Sequence, residues 1–424
     1  MQKFGLYRAN QNEVINLAIS NLVKWNGEVP KKNFQCQVLD FFCGAGGMSL
    51  GFAAISKDTP YFKCIAGFDI SEEAAKTYSN NFKVPALTID IRKLIDKKLL
   101  SAVLNDIGYD PKKPLIVIGC PPCQGFTSHR KKNWETKDDR NDLVGIFASI
   151  AVQLNPDCIV IENVPEMLSK KYWIYYSKAK SRLEKAGYIV HQKIFNTASF
   201  GVPQERYRAI SMAMKKEFVL PEPILRAENY RTVRDAIGYL PAVKVGETTK
   251  TDPFHKPVLH RQSTIDVIKA VPKNGGSRPK GIGPKCLDRV KGFADVYGRL
   301  SWDKPAITIT QYARNPASGR FTHPEQNRGL TIREASLLQG FPLGFYFLGS
   351  SGSIYKQIGE AVPPIFGCAI AATVLIELLS WKPLSSEETA RQRIYTNTPV
   401  NNSYSSVIAG IKIAAKKKWA TTVS

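Results

Sequence analysis

Short apolar runs recur through the first half of the chain, and most of them stop at an acid or a cysteine-bearing turn. Gln37–Phe42, Cys64–Phe68, Ala86–Ile89, Leu115–Ile118 and Ile159–Ile161 contain few polar residues. Such runs predict strands buried on both sides, the pattern of a parallel sheet covered by helices. A further strand is expected before Ser199. Met48, Leu50 and Phe52 follow the first run on a predicted helix. Val14, Leu17, Ala18 and Leu22 recur at roughly helical spacing and predict a short packing helix without chemistry. The one long apolar run, Ile365–Leu379, contains Glu377 and is shorter than a membrane span, so it predicts a buried helix.

From about Met212 the pattern changes. Proline and glycine become dense, as in VPKNGGSRPKGIGP, and residues 244–320 hold 15 Lys plus Arg against 6 Asp plus Glu, a net +9. The expected organisation is an N-terminal helical extension (1–35), an α/β doubly wound, Rossmann-like catalytic domain (36–211), a small loop-rich recognition domain (212–342), a return segment completing the catalytic domain (343–381) and a basic tail (382–424). At 424 residues the chain is long enough for several domains. The whole chain carries a formal +23, which favours a polyanionic partner, nucleic acid before membrane. Residues 1–30 hold no apolar signal-peptide core, and the cysteines form no regular framework, so a cytoplasmic protein with reduced thiols is expected.

Candidate chemistry gathers where the runs end. Pro121 and Pro122 fix two φ angles after Leu115–Ile118 and leave Cys123 on a stiff turn at the carboxyl end of a strand, where open α/β sheets bind ligands. His129, Arg130, Lys131, Lys132 and Arg140 follow and would favour a nucleophilic thiolate. Cys120 and Cys123 also spell the CxxC of a redox or zinc site, but no second CxxC completes a zinc set, and no metal is expected. Gly44, Gly46 and Gly47 make a tight turn before a helix, the kind of turn that lets backbone approach a ligand. Asp40, Asp69 and Asp90 stand at successive strand ends. Each alone suits a helix cap, whereas together they describe a pocket for a nucleoside bearing a cation, S-adenosylmethionine.

DFFCGAGG (40–47), GCPPCQGF (119–126), ENV (162–164), QERYR (204–208) and YKQIGEAVPP (355–364), in that order, resemble the ordered motifs of the DNA (cytosine-5) methyltransferase family. YGRLSWDKPAITIT (297–310) and GRFTHPEQNRGLTIREASLLQGFP (319–342) resemble the segment before its last motif. The resemblance covers about residues 36–380 and implies methyl transfer from S-adenosylmethionine to carbon 5 of a flipped cytosine in duplex DNA. It implies Cys123 as nucleophile at carbon 6, Glu162 as the acid at N3, Arg208 at the ring oxygen, and Arg206 at phosphate or in loop support. Gln204 and Arg140 belong with the substrate, and Gln124 reaches toward the gap left by the base. Phe42, Gly44, Gly46, Gly47, Asp69, Ile70, Asp90, Ile91, Leu143, Glu360 and Ala361 are the implied cofactor positions. Asp69 would take the ribose and Asp90 the adenine amino group. Ile70 stands where the family often has an aromatic residue, and Glu360 where it usually has Asn. The polar stretch between Cys123 and Leu143 reads as a lid.

A tRNA cytosine methyltransferase, a catalytically dead partner protein and a thiol oxidoreductase are the alternatives. The broad basic segment argues for duplex DNA, and the presence of both Cys123 and Glu162 argues for catalysis. Pairing with a cognate restriction endonuclease and a monomeric state are expected.

Overall fold

A computed structural model describes residues 11–27, 34–57, 60–122, 142–243, 252–289 and 295–379. Seven strands form one sheet in the order β3-β2-β1-β4-β5-β7-β6. They are β1 (Cys36–Phe41), β2 (Phe62–Asp69), β3 (Ala86–Thr88), β4 (Leu115–Gly119), β5 (Cys158–Asn163), β6 (Ile189–Asn196) and β7 (Tyr207–Met214). The first five pair in parallel, and β7 runs antiparallel to both β5 and β6. Every sequence-predicted strand is present. β5 is longer than expected and takes Glu162 into the strand, and β7 runs to Met214, across the expected domain boundary at 211.

Alternation along the strands explains the double winding. Val38, Ile116, Cys158 and Val160 enter one core, while their neighbours Leu39, Val117, Ile159 and Ile161 enter the other. The first core is covered by α1 (Gln11–Val23), α2 (Gly47–Ile55), α3 (Glu72–Phe82) and α12 (Pro364–Leu379). The second is covered by α4 (Lys97–Asp106), α5 (Leu143–Leu154) and α6 (Trp173–Lys185). In α1 the buried stripe is Val14, Ile15, Ala18, Ile19 and Leu22; Leu17, expected on that stripe, is 54% exposed because it lies round the helix from it.

Two glycines set how the returning chain docks. A Cβ on Gly51 of α2 would lie 2.1 Å from the Gly367 carbonyl carbon of α12, so the two helix backbones touch. Together with α11 (Ser351–Glu360), α12 is long and apolar enough to cross a membrane, but 89% of its most apolar window is buried inside the protein.

The region after β7 contributes α7 (Val233–Ile237), α8 (Gln262–Ala270), α9 (Cys286–Arg289) and α10 (Ile332–Leu338). Much of it shares the first core, through Phe254, Leu300, Trp302, Ile309 and Phe341. A separate small core, Val267, Ile268, Val271, Val296 and Tyr297, surrounds α8. Among the described residues, this separate core is confined to the neighbourhood of α8.

Candidate active site at the carboxyl edge of the sheet

Strand register lines up the site. Phe41 pairs with Gly119, and Gly119 with Ile161, so the next residues in each strand direction, Phe42, Cys120 and Glu162, form a row across the sheet edge. On the β1 side the chain turns sharply, with Phe42, Gly44 and Gly46 at φ 56°, 52° and 91°. The Gly44 amide donates to Asp69 Oδ2 at 2.8 Å, and the Ser71 amide donates to Asp69 Oδ1 at 2.8 Å. Burial pushes the Asp69 carboxyl up, opposed by these backbone donors and by Lys356. Asp69 thus braces the glycine turn as well as facing it.

The turn is close-fitted on one side and open on the other. A Cβ on Gly47 would lie 2.1 Å from the Val362 carbonyl oxygen and 3.2 Å from Ala361 Cβ, whereas one on Gly44 would meet nothing within 4 Å. Ala361 and Val362 therefore form a wall against the turn. Beside the open side, Ile70 is 71% exposed, an apolar side chain at the end of β2 with room for a flat ring. An open glycine backbone, a carboxylate and an exposed apolar platform fit S-adenosylmethionine.

The other expected cofactor positions divide. Asp90 caps the turn Ile91–Ile95 through the Arg92 amide and pairs with the Arg92 guanidinium at 2.8 Å, which holds its carboxyl below the usual range. Ile91 and Leu143 are buried in the second core, so their side chains serve packing. Glu360 is exposed at the end of α11. Asp40, read as a pocket acid, is only 1% exposed: it lies inside β1 and accepts from Ser49 Oγ at 2.6 Å, and burial pushes its pKa up to about 8. Its Oδ1 has no hydrogen-bond partner among the described residues.

On the β5 side, Glu162 is 6% exposed and pairs with Arg208 Nε at 2.8 Å. Burial raises its pKa; Arg208 and Arg206 oppose the shift without cancelling it. A carboxyl raised in this way holds a proton more readily than an exposed one, and the adjacent guanidinium can steady the anion left after donation. Asn163 Nδ2 donates to the Pro121 carbonyl at 3.1 Å, tying the end of β5 to the diproline turn. The ENV motif held that residue, but its role as a brace depends on the fold.

Arg206 and Gln204 both turn into the interior. Arg206 is 1% exposed and donates to the carbonyls of Ile309 (2.8 Å), Gly359 (2.9 Å) and Ala361 (3.2 Å). Of the two implied roles, phosphate contact and loop support, this geometry is that of loop support. Gln204, expected at the substrate, is fully buried; it accepts from the Ile309 amide and donates to Leu338 O and Gln339 Oε1. Its amide is consumed inside the protein and does not reach DNA. Cys120 is influenced by Glu162, Asp40, Arg208 and Asp69 at once, and burial holds its thiol well above the usual range, which weighs against a reactive CxxC pair. Cys123, Gln124, Arg140 and the expected lid lie outside the described residues.

A doubly wound parallel sheet with an antiparallel penultimate strand and a nucleoside-type turn after β1 defines a Rossmann-like, S-adenosylmethionine-dependent methyltransferase. The fold is shared with a prophage-encoded chain of Escherichia coli described as a DNA modification methyltransferase (TM-score 0.62, 22% identity, 81% of this chain and 100% of the other). It is shared too with the Entamoeba histolytica methyltransferase EhMeth (TM-score 0.54, 19% identity, 82% of this chain and 100% of the other). In sequence, the chain is 36% identical over 341 residues to the Type II methyltransferase M1.HphI of Haemophilus parahaemolyticus, covering 80% of this chain and 86% of the relative. It is 32% identical over 348 residues to the Type II methylase M.HgiDII of Herpetosiphon aurantiacus, covering 80% and 94%. The family model for C-5 cytosine-specific DNA methylases matches residues 36–375, and the chain belongs to that family. It is a DNA (cytosine-5) methyltransferase that uses S-adenosylmethionine.

Proposed function

We propose that the two half-sites at the sheet edge divide the work, with the cofactor at the glycine turn and the flipped cytosine beside Glu162. The ion pair of buried Glu162 with Arg208 carries this reading. Asp69, Ile70 and the Gly44–Gly47 turn would hold the nucleoside, with Ala361 closing the wall; Asp90 contributes less, being engaged by Arg92. Bound there, S-adenosylmethionine supplies an electrophilic methyl group.

The chain's own residues do the rest. The Cys123 thiolate adds to carbon 6, which breaks the aromaticity of the ring and makes carbon 5 nucleophilic. Glu162 gives a proton to N3 as negative charge builds there, and Arg208 holds the carboxylate and the ring oxygen. Carbon 5 then takes the methyl group as its bond to sulfur breaks, the carbon 5 proton passes to solvent, and the N3 proton returns to Glu162 as the thiolate is eliminated from carbon 6 to release the product. Arg206 supports this chemistry indirectly, by holding the loops around it. The exposed cationic face of the region after β7 reads the target sequence on duplex DNA. Relatives named as Type II methyltransferases support its acting as the methylase of a restriction-modification system; our reading adds a separate cognate endonuclease and a monomer in the cytoplasm near the nucleoid.

A duplex carrying 5-fluorocytosine at the target tests this, since fluorine cannot leave as a cation. Protein and DNA are expected to stay covalently joined in the presence of S-adenosylmethionine, as a denaturation-resistant species. Cys123→Ser abolishes the adduct, and Glu162→Gln slows its formation by about 10²–10⁴-fold. Because the Glu162 pKa is raised, the rate falls as pH rises through that value, and this alkaline limb disappears in Glu162→Gln. An adduct that survives Cys123→Ser overturns the nucleophile; one formed on tRNA and never on duplex DNA overturns the substrate.

A further inference from the structure

Five buried groups close a ring between the site and the region that follows β7. Ile309 is clamped at both ends of its peptide unit: its amide donates to Gln204 Oε1 at 2.9 Å, and its carbonyl accepts from Arg206 Nη1 at 2.8 Å. Gln204 Nε2 donates to Gln339 Oε1. Gln339 Nε2 donates to the Ala361 carbonyl at 2.7 Å, and the same carbonyl accepts from Arg206 Nη2 at 3.2 Å. Gln204, Ile309 and Gln339 are fully buried and Arg206 nearly so. In a low-dielectric interior a satisfied polar network fixes one geometry, because breaking any link strands a donor or an acceptor without water.

The ring's position gives it a consequence. Ala361 lies against Gly47 of the glycine turn, and a Cβ on Gly359 would lie 2.1 Å from the Gln311 amide nitrogen. The arm from Ala306 to Ala313 is therefore pressed onto the chain that forms the cofactor wall. Arg206 also acts electrostatically on Glu162. We infer that the ring sets the register between this arm and the cofactor wall, so that Gln339 and Gln204 are positioning residues for cofactor binding that act through Ala361. The inference rests on placing the cofactor at the glycine turn.

Isothermal titration of the full chain with S-adenosylmethionine, and hydrogen exchange across 306–313, test it together. Gln339→Met removes the donor to Ala361 while keeping volume, and Gln204→Glu keeps the acceptor for the Ile309 amide while losing the donor to Gln339. Each variant breaks two buried hydrogen bonds, Gln339→Met those with Ala361 and Gln204, Gln204→Glu those with Leu338 and Gln339, and both are expected to bind cofactor about tenfold more weakly. In the wild type the cofactor slows exchange in the arm; in Gln339→Met it does not. A variant that only loosened the fold would speed exchange across the sheet as well and lower the midpoint of thermal unfolding, without separating arm from sheet. Unchanged affinity in a variant with wild-type thermal unfolding overturns the ring's role. Asp69→Ala serves as the reference: if it too leaves affinity unchanged, the cofactor site itself is misplaced, whereas weakening by Asp69→Ala alone rejects only the ring.

Discussion

In the sheet half, backbone pairs with backbone across seven strands, and apolar side chains fill both faces. Between Asp252 and Pro342 the strands shrink to isolated bridges at Arg299, Thr322 and Gly329, and buried guanidinium groups take over. Arg299, 1% exposed, donates to the carbonyls of Ile268, Val271, His323 and Gln326 and to Asn327 Oδ1. It thereby joins the last turn of α8 to a loop, satisfying helix-end carbonyls that would otherwise be orphaned. Arg320 does the same for Gly275, Gly276 and the Arg299 carbonyl, and Arg328 forms a buried two-pronged pair with Glu334. A sheet leaves the side chains at its edge available for chemistry because it needs none of them for its own hydrogen bonds. A loop-rich region spends its arginines on holding itself together.

The difference changes how the positive charge is read. Arg278, Arg320 and Arg234 pair with Asp288, Asp295 and Asp303, so three acids of the segment are taken up by arginines. Lys273, Lys280 and Lys285 are exposed on the glycine-rich loop before α9. Exposed Arg261, Arg289 and Arg314 add to this positive surface of the segment.

Arg299→Leu is the strongest challenge to this contrast. It removes five hydrogen bonds to buried and part-buried acceptors and is expected to cost about 3–5 kcal/mol locally. Hydrogen exchange should show α8 opening while β1 and β4 stay protected, with loss of duplex binding. Equal opening of the sheet would mean that the two regions are not held separately.

Asp40 sharpens the sheet side. Its pKa rises from 3.8 to about 8 on folding, so the folded chain binds more protons than the unfolded one between those values. Stability should therefore fall with rising pH across that window, with a slope of up to about 1.4 kcal/mol per pH unit from this group. The contribution is fully present below the lower value and lost above the upper one. Urea unfolding of Asp40→Asn at a series of pH values is expected to show a shallower slope; an unchanged slope would mean that the carboxyl is ionised in the folded protein.

The smallest expected change concerns the lysines. Replacing Lys273, Lys280 and Lys285 together by Ala should lower the slope of log affinity against log salt by roughly 0.9 for each lost phosphate contact. Fluorescence anisotropy on a duplex between low and moderate salt measures it. An unchanged slope would move the phosphate contacts to other residues.

Much of the fold was legible in the chain, for a local reason. Buried parallel strands announce themselves as apolar runs, and tight turns as glycines and prolines, so β1 to β5, the glycine turn and α12 follow from neighbouring residues alone. Glu162 was legible as well, because it ends such a run and stands in a motif. The same reasoning selects Cys123, which lies outside the described residues.

What only the tertiary structure decided is whether a polar side chain faces inward or outward, and that depends on partners far away in sequence. Arg206 and Arg208, two apart at the start of β7, could have shared one role. Instead Arg208 meets Glu162, while Arg206 is drawn into the interior by carbonyls 103 and 155 residues further on. Gln204 and Gln339, 135 residues apart, find each other only after folding. Asp40 ends up buried under a serine although its neighbourhood in the chain resembles that of Asp69. Sequence determined which residues could carry charge, a proton or a hydrogen bond. Long-range packing determined which of them were consumed in doing so and which were left for the cofactor and the DNA, because burial and hydrogen-bond partners are properties of the assembled chain.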